Sequence, residues 1–191
     1  MASNSQSQLF RTFGKDKVSG HSQLKASVQR AIRGKIAEDY PWLAETGVLD
    51  VVLPKKQDLV LVKLPEYIQL LVLNNTPLFF SMRDGPWFPT LRLLHQYPDM
   101  MPKLRADLGA IKFVLSGANI MCPGLTSPGA TIHDEVEEGA AVAIYAEGKE
   151  LAMAIGYTKM STQQMREVNK GIGVDNLHYL NDGLWKTPVL A

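Results

Sequence analysis

Residues 109–125 of this 191-residue chain place a short apolar run between two glycine-containing bends. The run Ile111 to Leu115, interrupted by Lys112, predicts a buried strand. Ser116-Gly117 would end that strand, and Pro123-Gly124 would prevent any later helix from continuing. Glycine at a bend lets backbone N–H groups approach a ligand without an intervening Cβ. The pattern fits either a structural corner or a binding loop.

Four further blocks of sequence are too long and irregular to arise from amphipathic patterning. They are Phe88–His95, Leu125–Ala130, Val168–Gly173 and His178–Trp185. Together with residues 109–125, they resemble the malignant T-cell-amplified sequence family, a eukaryotic family linked to translation. The resemblance extends from about Leu24 to Trp185. Residues 109–125 resemble the opening of that family's PUA domain, an RNA-binding module named after pseudouridine synthases and archaeosine transglycosylases.

The expected fold class is α+β, with a mixed α/β N-terminal domain followed by a PUA-type β-barrel. The segment Ser3–Gly20 is rich in Ser, Gln, Lys and Gly, which predicts that residues 1–20 form a flexible arm or a first element that folds late. Residues 21–105 are expected to form the N-terminal (pre-PUA) domain, ending in a linker near Asp99–Asp107. Residues 106–191 are expected to form the PUA domain.

Local patterns predict the individual elements. Ser22 could cap a helix with apolar positions from Leu24 to Ile36, and Thr90 could begin a short helix. Ser161 and Gln164 match a capping box for a helix over Thr162–Lys170. The predicted strands are Leu59–Leu64, Ile68–Leu73, Leu78–Met82, Ala141–Ala146, Leu151–Lys159 and Asn176–Leu180.

Composition restricts the compartment. Hydrophobic residues make up 46% of the chain, enough for a core, yet no run reaches the length of a membrane span. The polar start of the sequence does not match a signal peptide. Cys122 is the single cysteine, which excludes an internal disulfide and a cysteine-based zinc site. A reducing, cytoplasmic location is expected.

The net charge of +1 hides an asymmetry between the two halves. Residues 1–108 contain fourteen Lys and Arg against ten Asp and Glu, a net charge of +4. Residues 109–191 contain six against nine, a net charge of −3. Attraction to RNA phosphates is therefore expected mainly from the N-terminal half.

The sequence does not indicate an enzyme. Nothing near Cys122 would activate its thiol, and the histidines are scattered. The acidic run Asp134–Glu138 lacks the ligand spacing of a calcium loop, and no Walker-type loop or H-E-x-x-H motif occurs. No catalytic residue, cofactor or metal site is expected.

The PUA resemblance implies where RNA would lie. It implicates the loop after the first barrel strand, with the bend open to solvent and its amides free for RNA. The residues concerned are Lys112, Ser116, Gly117, Ala118 and Asn119, the turn Pro123-Gly124, and Lys170. The structural alternatives are that Asn119 caps a turn and that Lys170 only sits favourably at a helix C-terminus.

Two other features have two interpretations each. Lys25, Arg30, Arg33 and Lys35 could contact ribosomal RNA or serve solubility; no acid precedes Glu38 in that helix, so pairing within the helix is not expected to explain them. Trp87 and Phe88, between two prolines, could form an exposed partner-binding anchor or a plug between the domains.

The family resemblance also implies a function and partners. Members pair with the density-regulated protein on the small ribosomal subunit, where they assist tRNA release in ribosome recycling and translation initiation and reinitiation. The resemblance thus implies an RNA-binding translation factor in contact with rRNA and tRNA. The alternative is a protein-interaction adaptor whose PUA barrel does not bind RNA itself.

Overall fold

Two β-sheets, each with its own helices, form the α+β architecture that the sequence predicts. The computed structural model describes residues 8–190. The first sheet is antiparallel, with five strands in chain order. In chain order this half consists of β1 (Gly20–Gln23), α1 (Ala26–Asp39), α2 (Pro41–Glu45), α3 (Val48–Val52), β2 (Val60–Leu64), β3 (Ile68–Leu73), β4 (Thr76–Met82), β5 (Phe88–Pro89) and α4 (Leu91–Gln96).

The second sheet has six strands in the order β7-β11-β10-β9-β6-β8 and curls into a half-barrel. Strand β6 runs parallel to β9, whereas the other pairings are antiparallel. In chain order this half consists of β6 (Lys103–Ala106), α5 (Leu108–Val114), β7 (Ile120–Met121), α6 (Cys122–Thr126), β8 (Thr131–Ile132), β9 (Ala141–Ala146), β10 (Ala152–Thr158), α7 (Thr162–Val168), β11 (Ile172–Tyr179) and α8 (Gly183–Lys186). No helix within residues 8–190 is long and apolar enough to cross a bilayer.

Side-chain caps fix several helix starts. Thr90 accepts a hydrogen bond from the Leu93 amide at the start of α4, as predicted. Ser161 and Gln164 form the predicted capping box of α7. The prediction for Ser22 is wrong: it lies in β1, opposite Leu61 of β2, so its backbone is in a sheet and α1 starts without a side-chain cap.

The predicted strand at Ile111–Leu115 is instead helix α5. The Asp107 side chain caps that helix by accepting a hydrogen bond from the Ala110 amide at 2.8 Å. A short apolar run does not by itself distinguish a buried strand from a helix, and here the cap favours the helix.

The first strand of the second sheet is β6, inside the segment predicted as a linker. Leu104 and Ala106 are fully buried while Lys103 and Arg105 are partly exposed, the period-two pattern of a strand. Residues 103–106 therefore belong to the second sheet and not to a linker.

The expectation for Pro123-Gly124 was also wrong, since Pro123 lies in the first turn of α6, where a missing N–H costs nothing.

The N-terminal segment connects the two halves. Residues 1–7 of the predicted arm lie outside the described residues. Among residues 8–20, Phe10 is buried and Leu9, Phe13 and Val18 pack partly buried against the core, so this part of the predicted arm is anchored to the protein. The Phe10 ring is 1% exposed and makes edge contacts with Phe80 of the first sheet at 5.0 Å and His178 of the second at 5.7 Å. The Gly183 amide donates to the Phe10 carbonyl at 2.7 Å. Burial of this ring outweighs the polar composition around it.

Replacing Gly183 should test this connection. A Cβ at Gly183 would lie 2.5 Å from the Phe10 carbonyl oxygen and 2.8 Å from the Phe13 amide nitrogen, both backbone atoms that cannot rotate away. Gly183→Ala should therefore lower the free energy of unfolding by about 1–3 kcal/mol in urea titrations. As a control, Gly34→Ala in α1, where a Cβ meets no atom within 4 Å, should raise it by about 0.5–1 kcal/mol. Wild-type stability of Gly183→Ala would contradict the connection.

Candidate nucleic-acid interface

The bend that follows α5 is closed by its own hydrogen bonds. The Gly117 amide donates to the Val114 carbonyl and the Ala118 amide to the Phe113 carbonyl, each at 3.0 Å. Gly117 has φ +94°, so this is a Schellman motif with glycine in the left-handed position. The prediction that the bend's amides are free for RNA is wrong, because a helix, and not a strand, precedes it and the helix's last carbonyls require those donors.

Ser116 and Asn119 also bond within the protein. The Ser116 hydroxyl donates to the Phe113 carbonyl at 2.8 Å. The Asn119 Oδ1 accepts from the Asn176 amide at 3.0 Å, which matches the structural alternative for Asn119. In turn, the buried Asn176 Nδ2 donates to the Val114 and Ala118 carbonyls, each at 3.0 Å.

Asn176 was not among the residues predicted from the sequence. The signal that could have identified it is an asparagine inside a strand whose other residues are buried. All residues of β11 after Ile172 are buried. A buried amide in such a strand requires partners, and the end of α5 supplies them for Nδ2, whereas Oδ1 has no hydrogen-bond partner among the described residues.

A groove of about 500 Å³ lies between α5, β7 and α6. Of the predicted site residues it brings together Ala118, Asn119, Pro123 and Gly124, whereas Lys112, Ser116, Gly117 and Lys170 are not among its lining. Gly124 allows the two helices to approach, since a Cβ there would lie 3.2 Å from the Ala110 Cβ. The remaining lining includes Phe113, Val114, Ile120, Met121 and Ile172.

Phe113 and Met121 give the groove its exposed apolar surface, with 55% and 48% of their areas accessible. Lys112 Nζ lies 5.0 Å from the centroid of the Phe113 ring, within cation–π distance. The sequence pattern gives Phe113 no role, because a buried strand over Ile111–Leu115 would hide its ring from solvent. An exposed ring with a cation beside it suits an unstacked nucleobase better than a bare phosphate.

The acidic loop is partly neutralised by an ion pair within the protein. Glu135, in the acidic loop, bonds to both Arg166 nitrogens, at 2.9 Å and 2.5 Å. The Arg166 and Thr162 hydrogen bonds lower the pKa of Glu135 to about 2.

Burial raises the pKa of the Cys122 thiol, which disfavours the thiolate a nucleophile would need.

The four basic residues at the N-cap of α1 and within it divide into two pairs. Arg33 donates to the Leu53 carbonyl at 3.1 Å and also bonds to the Asp50 carboxylate. Lys35 donates to Asp39 at 2.9 Å, an i,i+4 pair, so the expectation that helix pairing plays no part was wrong for this residue. Lys25 and Arg30 are exposed, and within residues 8–190 neither makes an ion pair.

Trp87 and Phe88 are not exposed. Phe88 stacks on Phe80 at 5.4 Å and meets Tyr157 of the second sheet edge-on at 5.8 Å. The Trp87 carbonyl accepts a hydrogen bond from the buried Tyr40 hydroxyl at 2.7 Å. Exposed partner binding by these rings does not fit their burial, whereas the alternative, a plug between the domains, does.

Asn119→Ala should separate structural from ligand-binding roles. Loss of Oδ1 leaves the Asn176 amide without its acceptor, so unfolding in urea should become easier by about 1–3 kcal/mol. As a control, Ser116→Ala, at an exposed hydroxyl, should change stability by less than about 0.5 kcal/mol. If Asn119→Ala unfolds like wild type, the amide bridge does not stabilise the bend.

Comparison with known proteins divides the chain at the same place as the two sheets. Residues 13–98 match the family model described as a Pre-PUA-like domain, and residues 101–183 match the model described as "elF2D, PUA domain". Among solved structures, a hypothetical protein of Pyrococcus horikoshii superposes with a TM-score of 0.70 at 22% identity, covering 88% of this chain and 99% of that one. A PUA domain protein of Aeropyrum pernix gives 0.64 at 22% identity, with 87% and 89% covered. These likenesses show the fold.

Curated relatives are similar over nearly their whole length. Malignant T-cell-amplified sequence 1 of Rattus norvegicus is 50% identical over 171 residues, covering 90% of this chain and 92% of that protein. The Drosophila melanogaster homolog of the same protein is 50% identical over 182 residues, covering 94% and 98%. With identity this high over both domains, the chain belongs to the malignant T-cell-amplified sequence family and consists of a pre-PUA domain followed by a PUA domain.

Proposed function

We propose that this protein is an RNA-binding translation factor that acts on the small ribosomal subunit by binding and not by catalysis. The observation that supports this most strongly is the apolar groove of the PUA domain, with the exposed ring of Phe113 beside Lys112. Contiguous exposed apolar surface, here Phe113 with Met121 in one groove, is typical of binding sites, and stacking of a base on such a ring is a common means of single-strand recognition.

In this proposal the groove receives an unpaired base of tRNA or rRNA. The base stacks on Phe113 and packs against Met121, while Lys112 interacts with a neighbouring phosphate. The closed bend contributes rigidity, because Gly117 and Asn119 hold the end of α5 in place and do not contact the ligand through free amides.

The N-terminal domain supplies the phosphate attraction. Lys25, at the N-cap of α1, and Arg30 within it make no ion pair among residues 8–190, so their charges are available to ribosomal RNA. Lys170 stays a proposed phosphate contact, outside the groove. This division matches the net charges of +4 for residues 1–108 and −3 for residues 109–191.

The density-regulated protein is the proposed protein partner, and the cytoplasm the proposed location. The pair would assist tRNA release during ribosome recycling and translation reinitiation. Contacts of the factor would change the populations of tRNA-bound and tRNA-free subunits, and modest RNA affinity supplemented by a partner would allow the factor to leave after each cycle.

A second candidate function is a protein-interaction adaptor that does not itself bind RNA. The negative charge of the PUA half and the closed bend favour it, because neither attracts phosphates. An apolar groove could equally receive a side chain of another protein.

Phe113→Ala tests the groove. Loss of the stacking platform should weaken binding of the full chain to tRNA or small-subunit rRNA fragments by about tenfold, measured by fluorescence anisotropy. The salt dependence should stay unchanged, since no charge is removed. Leu108→Ala is the matched control, because Leu108 is exposed on the same helix but does not line the groove. Equal affinity of Phe113→Ala and wild type would refute the groove, and no binding by wild type would favour the adaptor.

A double variant tests the basic surface of α1. Lys25→Gln with Arg30→Gln removes two unpaired cations, so the slope of log affinity for the small subunit against log salt should become shallower by about 1.4 to 1.8. Lys35→Gln, which removes a cation already paired with Asp39, should leave the slope near its wild-type value. An unchanged slope in the double variant would eliminate this surface as an RNA contact.

A further inference from the structure

A tyrosine hydroxyl without a protein partner lies beside the closed bend. Tyr179 is 6% exposed, yet among residues 8–190 its hydroxyl makes no hydrogen bond and is not one of the fully enclosed polar atoms. The ring covers Gly117, since a Cβ on Gly117 would lie 3.0 Å from the Tyr179 hydroxyl oxygen and 3.2 Å from its Cε1. Because polar groups of buried side chains are normally paired within the protein, a hydroxyl held at the surface without a partner is available to a ligand.

The N-terminal segment places a cation near this hydroxyl. The Gly183 amide donates to the Phe10 carbonyl at 2.7 Å, so Arg11 follows a residue that is bonded to the turn after Tyr179. Burial raises the pKa of the Tyr179 hydroxyl and the Asp182 carboxylate raises it further, whereas the positive charge of Arg11 acts in the opposite direction. The guanidinium is therefore within electrostatic reach of the tyrosine.

The Arg11 guanidinium has little to hold it within the protein. Arg11 is exposed, and its side chain donates a long hydrogen bond to the exposed Gln8 side chain, at 3.3 Å. In the part of the chain that the structure describes, it makes no ion pair. Arginine and tyrosine side chains both donate to phosphate oxygens in nucleic-acid interfaces, and the bonds from arginine are strengthened by its charge.

These two side chains adjoin the apolar groove. Ala118 lines the groove, and Gly117, about 3.8 Å away along the chain, lies under the Tyr179 ring. A strand whose base stacks on Phe113 can therefore bring an adjoining phosphate to Arg11. Residues 109–191 have a net charge of −3, so a cation carried by the N-terminal segment supplies a charge that the PUA half lacks.

We infer that Arg11 and the Tyr179 hydroxyl form a phosphate subsite for the RNA strand that continues from the groove. The inference rests on the proposed function and deepens it, because it names how the PUA half holds the backbone of the RNA whose base the groove receives. Part of the phosphate attraction then comes from the N-terminal segment, in addition to the cations of α1.

The experiment measures binding of the full chain to a labelled single-stranded RNA of about ten nucleotides, by fluorescence anisotropy over a range of salt concentrations. Arg11→Gln should weaken binding by about threefold to tenfold and make the slope of log affinity against log salt shallower by about 0.7, the value for one phosphate of a single strand. Arg11→Lys, which keeps the charge, should keep the wild-type slope. Arg83→Gln is the matched control with unchanged affinity and slope, because Arg83 is an exposed arginine after β4 that does not line the groove.

Tyr179→Phe tests the hydroxyl apart from the ring. The hydroxyl has no partner among residues 8–190, so its removal should leave the melting temperature unchanged, whereas loss of a hydroxyl that stabilises the fold would lower it. Affinity for the same RNA should fall by about threefold with the salt slope unchanged, since no charge is removed. Wild-type affinity of this variant would overturn the part of the hydroxyl in the subsite.

The outcomes separate the subsite from the proposed function. If Phe113→Ala weakens RNA binding while Arg11→Gln keeps the wild-type affinity and slope, the subsite is wrong and the proposed function stands. Equal weakening by Arg11→Gln and Arg83→Gln would also overturn the subsite, because it would show attraction by overall charge. If wild type does not bind RNA, the proposed function is wrong and the subsite with it.

Discussion

The hydrogen bonds of the buried Asn176 side chain determine what the PUA half can bind. Its Nδ2 joins the Val114 and Ala118 carbonyls, and its backbone amide holds the Asn119 side chain, so the end of α5 is fixed against β11. With these bonds made, the Gly117 and Ala118 amides and the Ser116 hydroxyl are engaged within the protein and are not available to a phosphate. What stays open to a ligand is the apolar groove beside the bend, with Phe113 exposed at its side. This domain is therefore better suited to binding a ligand by stacking and apolar packing than to binding a phosphate through backbone amides.

A shared aromatic core fixes the two sheets relative to each other. Phe10, Phe80 and Phe88 of the N-terminal half meet His178 and Tyr157 of the other half. Ring contacts from both halves make domain separation costly, because each ring would be exposed to water. The apolar groove and the exposed Lys25 and Arg30 thus keep a fixed spacing. In the proposed function such rigidity would reduce the entropy lost on binding.

Local signals in the sequence were sufficient where neighbouring residues decide the structure. Strand β3 and the capping box of α7 were predicted correctly. The signal for β3 is the short apolar run itself, and the signal for the capping box is the spacing of Ser161 and Gln164, so each lies within a few residues. Tertiary contacts decided the rest. Strand β6 exists because β9 pairs with it, and the N-terminal segment is ordered because Phe10 fills a space between two sheets. The geometry of the candidate site could not be predicted for the same reason. Exposure of Phe113 depends on α5 being a helix, and Asn119 is bonded to a residue 57 positions away. A PUA fragment starting at residue 109 would lack β6.

Amide and methyl chemical-shift mapping of the full chain during titration with a short single-stranded RNA is the most direct test of the central claim. The largest changes should occur at Phe113, Met121 and Ile172, while the Gly117 and Ala118 amides keep their hydrogen bonds and stay slow in hydrogen exchange. Large shifts and faster exchange at Gly117 and Ala118, with the groove residues unchanged, would contradict the account.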